Sequence, residues 1–191
     1  MKLFQSTALK IINDNFSTIG EERHKISQNV IKNFSNSNKP LDKLACGLAY
    51  INEGAKYRKQ AIECFEFYFN NPVPIPKEYR CISEWYLHSE LSDLYEKEYM
   101  FDQAIEQLKL CQKCNYGNLC NIDYINSADY TRIADIIVKR DGVDEAIKYI
   151  SDLKKEKTYL KIKYDVDYEY QKLIEKKKKG YVYRPRKKRN V

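Results

Sequence analysis

Glycine and proline are scarce, six and five in 191 residues. A chain built only of strands needs many more turn-forming residues, so the scarcity favours long helices with few breakers. No apolar run approaches the roughly 20 residues of a membrane span, and no membrane partner is expected. The start, MKLFQSTALKII, is interrupted by Gln5, Ser6, Thr7 and Lys10, which argues against a secretory signal. Histidine is limited to His24 and His88. Two separated imidazoles make no acid–base constellation. There is no glycine-rich phosphate loop, no G-x-S-x-G and no H-E-x-x-H, and no carboxylate pair stands out from the 27 acids. We therefore expect a protein that is not an enzyme and needs no cofactor.

Six cysteines without a secretory signal read as free thiols in a reducing, intracellular and cytoplasmic setting. Hydrophobic residues make up 43%, and 17 tyrosines supply much of the apolar surface. At this length one domain with a sizeable core is expected. Charge is unevenly placed. Lys176, Lys177, Lys178, Lys179, Arg184, Arg186, Lys187, Lys188 and Arg189 face no acid in the last 16 residues. Those nine cations against a total of +7 leave residues 1–175 at −2. The reading is a nearly neutral body, 1–175, followed by a flexible basic tail, 176–191.

Apolar residues recur at helical spacing along the body. Leu3, Phe4, Ala8, Ile11, Ile12 and Phe16 mark a first helix; Ile26, Val30, Ile31 and Phe34 mark a second, with acids in its first turn. After the polar loop SNSNKP, Leu41–Asn70 reads as a two-helix unit with Gly47 and Tyr50 on one helix and Ala61 and Phe65 on the other. NPVPIPKEY has three prolines in nine residues and reads as an extended connector. Trp85–Cys111 places Leu91, Ser92 and Tyr95 before a short turn, and Phe101, Ala104 and Leu108 after it. Such a turn makes the two helices antiparallel neighbours. Ala128–Lys155 repeats the pattern, with Tyr130, Ile133, Ala134 and Ile137, a turn at Asp141-Gly142, then Val143, Ala146, Ile150 and Leu153. Ala61, Ala104 and Ala146 recur 43 and 42 residues apart.

This recurrence of large apolar, small, aromatic, then alanine and large apolar residues resembles the tetratricopeptide repeat (TPR). The spacing exceeds the roughly 34 residues of the standard repeat; the extra residues lengthen either the helices or the inter-repeat loops, for which 71–79 and 114–126 are the candidates. The resemblance implies an all-α fold: a right-handed α-solenoid of three TPR-like hairpins (about 41–70, 85–116 and 128–155), preceded by an N-terminal helix pair and closed by a C-terminal capping helix. Segment 158–179 carries two signatures. Leu160, Ile162, Tyr164, Val166, Tyr168 and Tyr170 alternate with polar residues as a strand would. A lone strand would leave its edge unpaired, whereas a repeat array needs a terminal cap, which favours the helix.

Cys111-x-x-Cys114 with Cys120 is the one metal-like spacing. A fourth ligand is missing nearby, with only Cys81 and His88 as further donors. Cys111 also falls on a repeat core position, so packed thiols are preferred over zinc or a redox pair, and no metal is expected.

The resemblance implies function through a concave groove lined by the first helix of each repeat. By position these residues are Leu44, Leu48 and Ile51; Tyr86, Ser89, Asp93 and Lys97; and Thr131, Asp135 and Lys139. The Lys/Asn/Arg clamp for a peptide carboxylate is absent, and Asp93 and Asp135 would repel one. A mixed apolar and acidic lining suits a basic or amphipathic helical segment; the alternative is that these side chains only pack against a neighbouring helix. The expected function is a non-catalytic protein–protein interaction scaffold with a protein or peptide partner, and self-association into a homo-oligomer is also open. In the tail, Tyr181 and Tyr183 interleave with Arg184, Arg186, Lys187, Lys188 and Arg189, behind Lys176, Lys177, Lys178 and Lys179. That mixture suits a polyanion or single-stranded nucleic acid. It also suits nuclear import in a host with a nucleus, or a merely solubilising tail. The alternative function is a nucleic-acid-associated regulatory protein binding DNA or RNA through this tail.

Overall fold

In the computed structural model, residues 6–79, 81–114 and 126–185 are described. Every regular element among them is helical: α1 Thr7–Asp14, α2 Gly20–Phe34, α3 Pro40–Asn52, α4 Arg58–Asn70, α5 Glu84–Lys97, α6 Phe101–Cys111, α7 Ser127–Arg140, α8 Val143–Leu153 and α9 Tyr159–Lys178. A one-turn 3₁₀ helix, Ala55–Tyr57, lengthens the connection between α3 and α4. The chain divides into two compact units, one ending at Glu98 and the other beginning at Tyr99.

In the first unit α3 is the centre, packed on α1, α2 and α4. It is suited to this by small residues. Ala45, Gly47 and Ala49 are buried together with Leu41, Leu44 and Leu48. A Cβ on Gly47 would lie 3.3 Å from the Cys64 Cβ and from the Phe65 ring, so the absence of a side chain sets how closely α3 and α4 approach. Ser6 caps α1 by accepting the Leu9 N–H at 3.1 Å, and its hydroxyl donates to the buried carboxylate of Asp42. Ser37 donates to the other Asp42 oxygen at 2.8 Å. Two hydroxyls thus satisfy an anion that burial would otherwise make costly. The proline-rich connector after α4 is held by the Tyr68 hydroxyl on the Val73 carbonyl, 3.1 Å. Ser83 then caps α5 by accepting the Tyr86 N–H, 3.1 Å. On α5, Leu87, Leu91, Ser92, Leu94 and Tyr95 are buried.

In the second unit α7 packs on α6, α8 and α9, and α9 also packs on α8. The α7–α8 turn uses Gly142 at φ +102°, a conformation open to glycine and strained for other residues. The core holds Ala104, Leu108 and Cys111 of α6, Ile133, Ala134 and Ile137 of α7, Ala146 and Ile150 of α8, and Val166 and Leu173 of α9. Segment 159–178 is therefore a helix, although its alternation is that of a strand. Ile162, Val166 and Leu173 are buried on one side while Leu160, Tyr164 and Tyr168 are exposed. Two apolar stripes on opposite sides of a helix produce alternation by two, because two residues turn a helix by about 200°. The helix ends in a Schellman motif: the Tyr181 N–H reaches the Lys176 carbonyl and the Gly180 N–H the Lys177 carbonyl, both 3.0 Å, with Gly180 at φ +64°. Lys176, Lys177 and Lys178, expected in a flexible tail, form the last turn of α9, where cations oppose the helix dipole.

Candidate partner-binding faces

The first helices of the hairpins are α3 and α5 in the first unit and α7 in the second. On α3, Leu44 and Leu48 are buried and Ile51 half-buried, so the first two belong to the core. On α5, Tyr86 is half-buried and stands edge-on to Phe16, ring centroids 5.6 Å apart. The two rings form one wall of a cavity of about 110 Å³. Its apolar lining is Ile12, Ile26 and Leu48, and its polar lining is Asn15, Thr18, Arg23 and Asn52. Arg23 is steered there by two backbone acceptors, donating from Nε to the Thr18 carbonyl and from Nη2 to the Phe16 carbonyl at 3.4 Å. Burial, reinforced by the Glu90 carboxylate, pushes the Tyr86 phenol well above its usual range, and the nearby Arg23 charge opposes this only in part. Tyr86 is therefore a neutral phenol at any physiological pH. This recess is the feature that sequence reasoning missed. Phe16 and Arg23 come from the N-terminal helix pair, and no spacing rule says that the α1–α2 turn meets the start of α5.

Further along α5, Ser89 and Asp93 are half-buried and Lys97 is exposed; Ser89 and Asp93 each have an interaction of their own within the fold. On α7, Thr131 turns its hydroxyl back onto its own helix, towards the Ser127 and Ala128 carbonyls at 3.3 and 3.4 Å. Asp135 is engaged by α9, with Lys172 at 3.4 Å and Lys176 at 3.3 Å. Lys139 is half-buried and has an interaction of its own. Beside Asp135, Glu169 is 4% exposed; Oε2 accepts Lys172 at 2.9 Å and Oε1 has no hydrogen-bond partner. Much of the α7 polar face is thus spent on internal contacts. The α5 face retains a recess.

The tail cations differ from one another. Lys176 bridges to Asp135 and lies over the Tyr181 ring, 5.7 Å from its centroid, and Lys177 pairs with Asp144 at 2.7 Å. Lys178, Lys179 and Arg184 are exposed. Arg186, Lys187, Lys188 and Arg189 lie outside the described residues, as does Cys120.

Cys111 is fully buried, and burial first, then the Asp129 charge, pushes its thiol far above the usual range. A thiol held protonated is a poor nucleophile and a poor metal ligand. Cys114 is half-buried and Cys81 exposed. His88 is buried and stacked on Phe69, centroids 4.4 Å apart. His24 is exposed, with Nδ1 2.9 Å from the Glu53 carboxylate.

A scan of family profiles finds no match for this sequence, and a search of curated proteins finds none either. The search of solved structures finds a crystal structure of a variant of the nearly identical TPR-like repeats of a Podospora anserina protein described as a kinesin light chain. It is 13% identical, has a TM-score of 0.50, and covers 90% of this chain and 84% of its own. At that identity the likeness concerns the fold. The fold is that of a TPR-like helical-repeat protein. No helix among the described residues is long and apolar enough to cross a membrane.

Proposed function

We propose that this protein is a non-catalytic scaffold that holds a protein segment against the first-helix faces of its repeats. The contact residues are Tyr86, Ser89, Asp93 and Lys97 of α5, in the first unit. The cavity beside Tyr86 carries the reading. Its lining mixes apolar side chains with amide, hydroxyl and guanidinium groups, a composition suited to one side chain of a peptide together with the polar groups of its adjoining backbone. Asp93, about two helical turns further along α5, favours a basic group on the same segment. The preferred partner is an amphipathic helix with one apolar anchor and an Arg or Lys on the following turns.

The test is fluorescence anisotropy with labelled amphipathic peptides that vary the anchor and the basic positions. Tyr86→Ala is expected to weaken the best peptide by more than about tenfold, the scale of a buried aromatic hot spot. Far-UV circular dichroism should stay unchanged. Equal affinity of the parent and Tyr86→Ala for every peptide would remove α5 from the account.

A second reading rests on the exposed Lys178, Lys179 and Arg184 with Tyr181 and Tyr183: contact between the C-terminal stretch and a polyanion, DNA or RNA included. Two of the nine cations are already neutralised by Asp135 and Asp144. The remaining seven limit the salt dependence, and log K against log salt for duplex DNA should be no steeper than about −6. Deleting residues 178–191 should flatten that slope to near zero. An unchanged slope would place nucleic-acid binding elsewhere on the chain or rule it out.

A further inference from the structure

The outer stripe of α9 is left uncovered. Leu160, Tyr164 and Tyr168 are 79%, 83% and 67% exposed, on the side opposite the buried Ile162, Val166 and Leu173. Tyr164 and Tyr168, with Lys163, Asp167 and Gln171, line a shallow open surface. A capping helix is expected to turn a polar face to water. This one presents two tyrosines and a leucine, more than scattered surface apolar residues require.

We propose that the stripe is a self-association surface, on which α9 of a second copy lies antiparallel and centred on Tyr164. The charge order selects this occupant. The run Lys161-x-Lys163-Tyr164-Asp165-x-Asp167 carries cations before Tyr164 and anions after it. Reversing the second helix about a two-fold axis at Tyr164 brings Lys161 towards Asp165 of the other copy on one side, and Lys163 towards Asp167 on the other. The symmetry repeats both pairs. A parallel arrangement opposes like charges at all four positions. Leu160 then meets Tyr168 of the second copy, and the two Tyr164 rings meet on the axis. Asp167 already accepts Lys154 at 2.8 Å and the Tyr159 hydroxyl at 2.9 Å, and Lys161 has an interaction of its own within the fold, so both kinds of pair compete with contacts already made. The backbone leaves helical values at Ile162 (φ −124°, ψ 17°), so α9 is kinked between Leu160 and the two tyrosines. The three side chains offer on the order of 400 Å² per copy. A standard interface buries about 800 Å² per partner, so the dimer is weak and forms reversibly with concentration.

Sedimentation velocity of the full chain from about 5 to 500 μM tests the proposal. A reversible monomer–dimer equilibrium is expected, and Tyr164→Glu should leave only monomer with unchanged far-UV circular dichroism. Lys161→Asp and Asp165→Lys should each weaken the dimer by about tenfold or more, and an equimolar mixture of the two should regain it as a heterodimer. A chain monomeric throughout, leaving the stripe to a different protein, would overturn the proposal. So would a dimer indifferent to Tyr164→Glu, or a mixture no better than its components.

Discussion

Phe65→Ala is expected to lower the unfolding free energy of the first unit by about 3–5 kcal/mol, the range for a fully buried phenylalanine whose site cannot collapse. Phe65 is 0% exposed and lies against α3 at Gly47, where backbone approach is already limited by contact. Ala61 and Ala45, also fully buried, have no larger rotamer with which to fill the gap. The helices on either side are held by their own contacts, α3 by α1 and α2 and α4 by α5, so they cannot simply close together. Ile19→Ala is the matched control. Ile19 is 78% exposed, and its loss should stay within about 0.5 kcal/mol. Urea titrations of the two variants and the parent decide the matter, and equal effects would mean that the α3–α4 contact does not organise this unit.

The second large effect is alkaline. Cys46 of α3, its thiol 4.0 Å from the Val30 carbonyl of α2, and Cys64 of α4 are both buried, and burial pushes their thiols from the ordinary 9.0 to about 12 and about 11. Burial also raises the Tyr68 phenol, from 10.0 to about 12. Each is an acid whose folded pKa lies above its unfolded one. The unfolded chain therefore loses these protons first, and the stability they support is complete below pH 9. It falls as pH rises from 9 through the folded values near 11–12. Each group that stays protonated in the fold while the unfolded chain ionises removes about 1.4 kcal/mol per pH unit. Stability should be flat to about pH 8.5 and drop by several kcal/mol by pH 11. Cys46→Ala should make the decline shallower between pH 9 and 10, where Tyr68 does not yet contribute. A profile equally flat for both proteins to pH 11 would show that the thiols reach water.

The repeat architecture was legible because its determinants are local. Ala61, Ala104 and Ala146 recur at near-constant spacing, all three are fully buried, and Gly47 and Ser92 occupy the small positions expected of them. The α9 segment was harder to read. Period-two alternation has two physical origins, a strand with one buried face or a helix with two apolar faces. Composition does not separate them, and the Leu160–Tyr164–Tyr168 stripe is what made the alternation strict. Side-chain engagement was least legible. Asp135 as a groove acid and Lys176 as a tail cation are both sound readings of position, yet α9 packs on α7 and pairs them with each other. That pairing depends on where a helix 41 residues further along the chain returns. The Tyr86 recess has the same cause, because Phe16 and Arg23 reach it only through the path of the N-terminal helices.

The central claim, that a protein segment is held on the α5 face, is tested most directly by amide chemical-shift mapping of the full chain. The titrant is an amphipathic peptide with a leucine anchor and arginines on the following turns. The account predicts saturable shifts at Phe16, Arg23, Tyr86 and Asp93, and their loss in Tyr86→Ala. Shifts confined to α9 and the C-terminal stretch, with Tyr86 and Arg23 unmoved at saturation, would contradict it.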